Sequence, residues 1–149
     1  PLSGTRLSRL LHVSRQAIVN DIALLRAANV DILSTNRGYL LSVPVSSTRI
    51  FKVCHATEDF EREMQAIIDA GGKIQDIIIE HPVYGRISAP LEIYSRNDIV
   101  KFKEKMQSGN AVPLCDITSG VHYHTILAYS DEILDDVAAA LKSNGFLLS

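Results

Sequence analysis

The sequence predicts an α+β protein in two segments, two helices and a hairpin over residues 1–45 and then an α/β sandwich over residues 46–149. A length of 149 residues with 46% hydrophobic residues suits one medium domain or two small domains. Along the chain, the spacing of apolar residues alternates between the spacing typical of helices and the spacing typical of strands. A proline and a serine-rich run separate the two segments near residue 45, which places a domain boundary there.

Two short helices are predicted at the start of the chain. Residues 3–11 place leucines at i, i+3 and i+4, the spacing of one helix face. After a turn, Ser14 can accept a hydrogen bond from the first free amides of a second helix, whose isoleucine stripe continues to about residue 28. A helix, a tight turn and an N-capped helix in this order are typical of a helix-turn-helix.

A hairpin follows and forms the wing of this module. Short strands at residues 32–33 and 39–41 flank a polar turn in which Gly38 supplies a permissive backbone. Pro44 and the run 46–48 predict a linker. Such modules normally have a further helix before the first one seen here, so we expect that helix to be absent or truncated. Position 1 is Pro rather than Met, which fits a start inside a longer protein.

The second segment reads in the order β-α-β-β-α-β-α-β. That order favours a mainly antiparallel sheet with helices on one face. Strands are predicted at residues 49–54, 74–80, 87–94, 114–117, 121–129 and 146–148, and helices at 58–70, 95–107 and 130–143.

The two segments differ in charge. Residues 1–49 carry six arginines against two aspartates, a net +4, whereas residues 50–149 carry nine basic and fifteen acidic residues, a net −6. A basic front segment on an acidic body is typical of a nucleic-acid reader joined to a ligand-sensing module.

The early turns of the second helix would meet base edges in the major groove of DNA. Arg15 could read guanine, and Gln16 or Asn20 could read adenine through paired hydrogen bonds. An arginine at the hairpin tip could contact phosphate or the minor groove. A generic helical pair with a solvated polar face is the alternative. The candidate DNA-binding residues are Ser14, Arg15, Gln16, Asn20 and Arg37.

The sequence also indicates the cellular compartment of the protein. The sequence has no apolar run near the roughly 18 residues that a membrane helix needs, and no charged-then-apolar leader. The two cysteines, Cys54 and Cys115, are far apart in sequence and do not form a close metal-binding pair. These features predict a cytoplasmic protein with reduced thiols and no membrane partner.

Two histidines stand two positions apart in a predicted strand. Side chains alternate along a strand, so His122 and His124 point to the same face. His55 ends an earlier strand, and Glu63 lies on the helix that follows it, where its carboxylate could swing toward the histidines. Three imidazoles and one carboxylate would form an open site for Zn, Ni, Fe or Mn. Ordinary core or surface histidines remain the alternative. Strand alternation points Cys54 away, so it is not counted.

The segment from His81 to Gly85 is a predicted turn between two strands. Pro82 and Gly85 shape the turn, and His81 could simply form local hydrogen bonds. In the alternative interpretation, the side chains of this turn line a pocket for a small carboxylate. The candidate ligand-binding residues are His81, Tyr84 and Arg86.

Three motifs together resemble a known family. His55, the run from His81 to Gly85 and the run from Gly120 to Thr125 are similar to the three-histidine (3H) domain, which follows a winged helix in niacin-responsive repressors of NAD biosynthesis and niacin uptake. The segment from Ser14 to Arg26 resembles the winged helix of bacterial repressors. The resemblance implies a homodimer that binds operator DNA with nicotinic acid as corepressor. It also implies one divalent metal per chain, held by His55, Glu63, His122 and His124.

The resulting hypothesis is a transcriptional repressor of NAD biosynthesis or niacin transport genes, and not an enzyme. A plain metal-responsive repressor without niacin is one alternative. The other is a metal-dependent hydrolase acting on a small carboxylate or amide, since an open metal site can activate water. Asp59 and Asp116 are the nearest candidates for its general base.

Overall fold

A computed structural model describes residues 1–41 and 47–148 of the chain. The chain divides into two compact units, residues 1–44 and 45–149. None of the described helices is long and apolar enough to cross a membrane.

The first unit consists of two capped helices and a hairpin. Helices α1 (Gly4–Leu11) and α2 (Arg15–Ala27) are each preceded by a serine whose hydroxyl accepts from a backbone amide of the first turn. Strands β1 (Ile32–Thr35) and β2 (Gly38–Leu41) pair antiparallel around a two-residue turn. The strands are longer than the sequence predicted. A φ of 128° and the Leu2 carbonyl, 2.2 Å from where a Cβ would lie, restrict position 38 to glycine.

The core of the first unit is small. Three isoleucines are buried, and partly buried apolar side chains pack around them. The Arg26 guanidinium donates to the Ile32 carbonyl at 2.8 and 3.0 Å and to the Ser34 hydroxyl at 2.7 Å, which ties α2 to the hairpin. The buried residues are Ile18, Ile22 and Ile32, packed against Leu7, Val30 and Tyr39.

The second unit is built on an antiparallel sheet. Its strands are β3 (Ser47–Cys54), β4 (Lys73–His81), β5 (Gly85–Ile93) and β6 (Val121–Ala128), in the spatial order β3-β6-β4-β5. The predicted linker at Pro44 and Ser46 lies outside the described residues. The end of this linker was predicted wrongly, because Ser47 and Thr48 already pair with Ala128 and Leu127 of β6.

Helices α3 (Phe60–Asp69), α4 (Arg96–Ser108) and α5 (Asp131–Ser143) pack on one face of this sheet. Burial alternates along β6, so every second side chain of that strand enters the core. The observed fold is the predicted α+β arrangement. Core members from the sheet are Phe51, Val53, Ile74, Ile93, Ile126 and Ala128, and those from the helices include Met64, Ile67, Ile99, Leu134, Val137 and Leu141.

Two of the predicted strands do not form as predicted. Residues Leu114–Thr118 form a 3₁₀ helix, because the Thr118 hydroxyl bonds the carbonyls of Cys115 and Val121 and the backbone turns at Ser119 (φ 55°). The predicted closing strand 146–148 is reduced to one bridge, Val53 with Leu147. The predicted helix at residue 58 begins with a 3₁₀ turn, Thr57–Asp59, before α3.

Candidate metal centre and nucleic-acid interface

Strand β6 presents two imidazoles to the core. His122 and His124 are each 1% exposed, and the strand's alternation turns both toward the helices. Their Nε2 atoms lie 3.2 Å apart. The predicted pair on one face of one strand is therefore present, and it is buried.

His55 and Glu63 meet this pair from two other directions. His55 follows β3, and its Nε2 lies 2.7 Å from Glu63 Oε2. Glu63 lies in the first turn of α3, is 1% exposed, and has Oε2 3.4 Å from His122 Nε2 and Oε1 3.4 Å from His124 Nε2. The structure thus brings together all of the residues that the sequence suggested as metal ligands.

The backbone fixes which nitrogen each ring offers. The Nδ1 atoms of His55, His122 and His124 lie 2.7, 2.9 and 2.6 Å from the carbonyls of Ala56, Gly120 and Asp76. A carbonyl can only accept, so each Nδ1 carries the hydrogen. When such a ring is neutral, the lone pair of its Nε2 points toward Glu63, which is how second-shell carbonyls orient metal-binding histidines.

Gly120 is required by the close approach of two backbone segments. Its φ is 89°, and a Cβ at this position would lie 2.3 Å from the His55 carbonyl oxygen. The same glycine offers its carbonyl to the His122 ring at 2.9 Å. A residue without a side chain therefore joins the end of β3 to the start of β6 and orients one ligand.

Convergent lone pairs need a positive charge between them. Burial disfavours charge on His55 and His124, but the carboxylate of Glu63 outweighs it and raises the pKa of both. Burial likewise opposes ionisation of Glu63, yet the charge of His124 and the close approach of the three rings hold the pKa of Glu63 well below the usual range. In the metal-free state, a proton on the His55 or His124 ring can supply that charge.

The donor set fits a divalent transition metal. Glu63 Oε1 is buried, accepts no hydrogen bond from the described residues and lies 3.4 Å from His124 Nε2, so it has a lone pair available inside the cluster. Ligand atoms of His55, Glu63 and His122 all lie within 4.8 Å of one another, and His124 Nε2 adjoins them. Imidazole nitrogens with a carboxylate oxygen are the borderline ligands that suit Zn, Ni or Fe.

The cluster lines part of a cavity of about 300 Å³, which is within the ~300–1,000 Å³ of small-molecule pockets. Away from the cluster the lining is apolar and partly aromatic. None of the described residues of the lining is a lysine or an arginine. The apolar lining comes from α3, β4, β5, α4 and the segment after α4, and includes Phe60, Ile77, Leu91, Phe102, Met106 and Leu114.

The first unit carries its candidate DNA contacts on the outside. Ser14 caps α2 through a bond from Ala17 N at 3.0 Å, and Arg15 occupies the first turn. Gln16 Nε2 donates to Asn20 Oδ1 at 3.1 Å, so these two amides form one polar surface. All of the predicted DNA-binding residues are exposed, including Arg37 at the hairpin turn.

This chain is similar to known protein families and to two named proteins. The profile of the 3H domain matches residues 48–149, and that of an HTH domain matches residues 1–40. The chain belongs to the 3H-domain family. It is 40% identical over 149 residues to the "Probable transcription repressor NiaR" of Thermotoga maritima, covering 99% of this chain and 85% of that protein. It is 39% identical over 153 residues to the "Transcription repressor NadR" of Bacillus subtilis, with the same coverage. The resemblance seen in the sequence motifs is confirmed.

The predicted ligand-binding residues of this 3H domain lie on the β4–β5 turn. His81 Nδ1 accepts from the amides of Val83 and Tyr84 at 3.1 and 3.0 Å, and its ring contacts the Tyr84 ring. Tyr84 is 79% exposed. Within one chain, His81, Tyr84 and Arg86 do not contribute to the described cavity lining. Their role in ligand binding stays a prediction.

Several residues of the cavity were not predicted. Phe102 and Met106 lie four positions apart on α4, the spacing of one helix face, and only the structure shows that they line a cavity. Cys115 also lines the cavity, where burial, with Asp116 and Glu63, raises the pKa of its thiol to about 11.

Proposed function

We propose that this chain is a DNA-binding transcription repressor of NAD biosynthesis or niacin transport genes, with nicotinic acid as corepressor. Residues 1–45 would read the operator, and residues 46–149 would bind the metal and the corepressor. The observation that carries the proposal is the convergence of three oriented imidazoles and Glu63 in the wall of an apolar cavity, in a chain with an HTH domain.

One divalent metal ion per chain would be held by His55, Glu63, His122 and His124. When bound, it supplies a positive charge that a ligand with a carboxylate or a ring nitrogen can approach. The buried Oε1 of Glu63, which accepts no hydrogen bond from the described residues, and the shared direction of the Nε2 atoms support this assignment.

The charge of the cavity supports a small carboxylate as the effector. A divalent ion with one glutamate and neutral imidazoles has a net charge of +1, and a buried net charge is costly unless it is balanced. The described lining offers no arginine or lysine. A monoanion such as nicotinate would neutralise the site, while its ring would occupy the apolar part between Phe102 and Leu91.

Repression would follow from a shift between two arrangements of a homodimer. Helix-turn-helix proteins read two half-sites with two copies, so the spacing of the recognition helices decides operator affinity. Nicotinate can shift this equilibrium only by its differential affinity for the two arrangements. Such a repressor would work in the cytoplasm, where bacterial operators are.

The hydrolase alternative lacks a suitable base. Asp59 pairs with Arg62 at 2.8 Å, and Asp116 accepts from the Thr57 hydroxyl at 2.6 Å. Neither carboxylate lines the described cavity. The named repressors among its relatives also support a regulator instead of an enzyme.

The test is operator binding as a function of nicotinate and metal. Duplexes selected from a random pool in the presence of nicotinate and Ni²⁺ or Zn²⁺ would serve as the operator, with binding followed by fluorescence anisotropy. We expect nicotinate to raise operator affinity at least tenfold, and His122→Ala to remove that effect. An effect below twofold in the native protein would refute the corepressor role. A full response to metal alone would favour the metal-responsive repressor.

His81→Ala is the matched comparison for His122→Ala, because it removes an imidazole from the β4–β5 turn and leaves the cluster complete. If the turn binds nicotinate across a dimer, His81→Ala weakens the nicotinate response while metal content stays unchanged. An unchanged response in this variant removes His81 from the ligand site.

A further inference from the structure

We propose that Asp76 is a positioning residue for His124: its carboxylate holds strand β4 so that its own carbonyl directs the His124 ring into the cluster. The inference rests on the proposed metal site, because His124 is one of the ligands of that site. The evidence is an irregularity in the sheet and three hydrogen bonds that meet there.

Strands β4 and β6 do not pair continuously. Ile74 pairs with Ile126 and Ile78 with Tyr123, so β4 advances four residues while β6 advances three. The extra residue is a β-bulge, which interrupts the regular backbone ladder and re-aims nearby groups. Asp76 lies inside this irregular stretch.

Asp76 replaces the missing ladder bonds with its side chain. Its Oδ1 accepts from Thr125 N at 2.9 Å, and its Oδ2 accepts from the Thr125 hydroxyl at 3.0 Å. Its backbone carbonyl accepts from His124 Nδ1 at 2.6 Å. One residue therefore holds two consecutive residues of β6, the first through its main chain and the second through its side chain.

The orientation of the other two rings does not depend on how β4 pairs with β6. His55 donates to the carbonyl of the next residue, Ala56, and His122 to that of Gly120, two residues away. Only the acceptor of His124 is 48 residues distant in sequence and on another strand. A slight slip of β4 against β6 would release the His124 ring and leave the other two in place, and the Asp76 carboxylate opposes that slip.

The test uses the full chain in its metal-free state first. Long-range ¹⁵N NMR at alkaline pH, where imidazoles are neutral, reports which nitrogen of His124 carries the hydrogen. We expect the Nδ1-protonated tautomer in the native protein and in Asp76→Asn, whose amide can accept from Thr125 N and donate to the Thr125 hydroxyl. We expect a mixture of tautomers in Asp76→Ala. Because no metal is present, this readout is independent of whether the site binds one.

Zn²⁺ affinity, measured by chelator competition, is the second readout. Loss of a second-shell partner typically weakens metal binding by about 10–100-fold, and this is the loss expected for Asp76→Ala. Asp76→Asn and Thr125→Val should stay within about threefold of native, since each keeps the bond between position 76 and the amide of residue 125. These two mild variants keep the test valid if Asp76→Ala does not fold.

Asp98→Ala is the matched control, because Asp98 accepts from Tyr94 N at 3.0 Å at the start of α4, away from the cluster. It should lower the melting temperature without changing Zn²⁺ affinity or the His124 tautomer. The proposal is overturned if Asp76→Ala behaves like this control, or if Asp76→Asn loses as much affinity as Asp76→Ala. A native protein that binds no Zn²⁺ or Ni²⁺ refutes the metal site, whereas the tautomer result still decides the role of Asp76.

Discussion

The candidate DNA contacts and the candidate metal ligands have opposite surroundings. Ser14, Arg15, Gln16, Asn20 and Arg37 are all exposed on a unit with a small core. His55 is 8% exposed, and Glu63, His122 and His124 are each 1% exposed, inside the larger unit. In the first unit, the side chains proposed for DNA recognition therefore lie outside the core, whereas in the second unit the proposed metal ligands are part of the buried interior.

The difference has a thermodynamic consequence. An exposed side chain can be replaced at a cost usually within about 0.5 kcal/mol of folding free energy. A buried carboxylate or imidazole that loses its partner leaves an unpaired polar group, which costs about 1–3 kcal/mol or more. Substitutions in the cluster should thus change stability and binding together, and substitutions on the DNA-facing surface should change binding alone.

The largest expected effect is the loss of metal from His122→Ala. The variant removes one of three nitrogen donors and leaves a cavity in the core, so we expect metal affinity to fall by more than about 100-fold, beyond the range of second-shell changes. The first unit should stay folded. Elemental analysis after dialysis, with His81→Ala as the control, measures this. Unchanged metal content would mean that His122 is not a ligand, and the contrast between the units would lose its basis.

The second-largest effect concerns pH. The folding stability of the metal-free protein and the affinity for metal should depend on pH in opposite directions. In the metal-free protein the pKa values of His55 and His124 are raised by Glu63, so their stabilisation is complete below about 6.5 and is lost as pH rises through the folded pKa. Glu63, with a lowered pKa, contributes above about 4.5 and loses its contribution in more acidic solution. A metal needs neutral rings and therefore binds better at high pH.

We accordingly expect the rise in melting temperature on adding Zn²⁺ or Ni²⁺ to be large at pH 8 and to shrink toward pH 5.5. Thermal unfolding with and without metal across this range measures it. A pH-independent shift would indicate ligands other than histidine. His55→Gln should flatten the metal-free profile, since it removes one of the two rings with a raised pKa.

Much of this contrast could be predicted from the sequence, for local reasons. The period of two in a strand places His122 and His124 on one face, and serines before apolar helical runs marked the starts of the helices correctly. Residues 114–117 were predicted wrongly as a strand, because the residue types do not show that the Thr118 hydroxyl bonds to the backbone there.

The cavity and the support of the cluster could not be predicted, because they depend on distant contacts. Apolar residues such as Phe102 look the same in sequence whether they face a core or a void. The bond from His124 to Asp76 joins residues 48 apart across a bulge, and no local pattern encodes the position of a bulge. Short-range periodicity identified the candidate ligand residues, but not the groups that orient them.

The third prediction concerns base reading by the first unit. Arg15 is exposed in the first turn of α2, where a recognition helix meets base edges. We expect Arg15→Ala to reduce affinity for the selected operator by about 1–3 kcal/mol and to relax preference at one base pair. The melting temperature should stay unchanged. Binding to a set of singly substituted operators tests this, and an equal loss on every sequence would make Arg15 a phosphate contact.

The smallest effect is expected at the wing. Arg37 is exposed in the β1–β2 turn, where its backbone amide donates to the Thr35 hydroxyl at 3.2 Å. A contact with phosphate carries no sequence information, so Arg37→Ala should weaken all duplexes alike and lower the slope of log affinity against log salt by about 1. Anisotropy titrations between 50 and 200 mM salt, roughly the range over which phosphate contacts dominate, would show this. If Arg37→Ala instead lowers affinity only for duplexes with an A·T-rich flank, the wing reads the minor groove, and the first unit then has two base-reading elements.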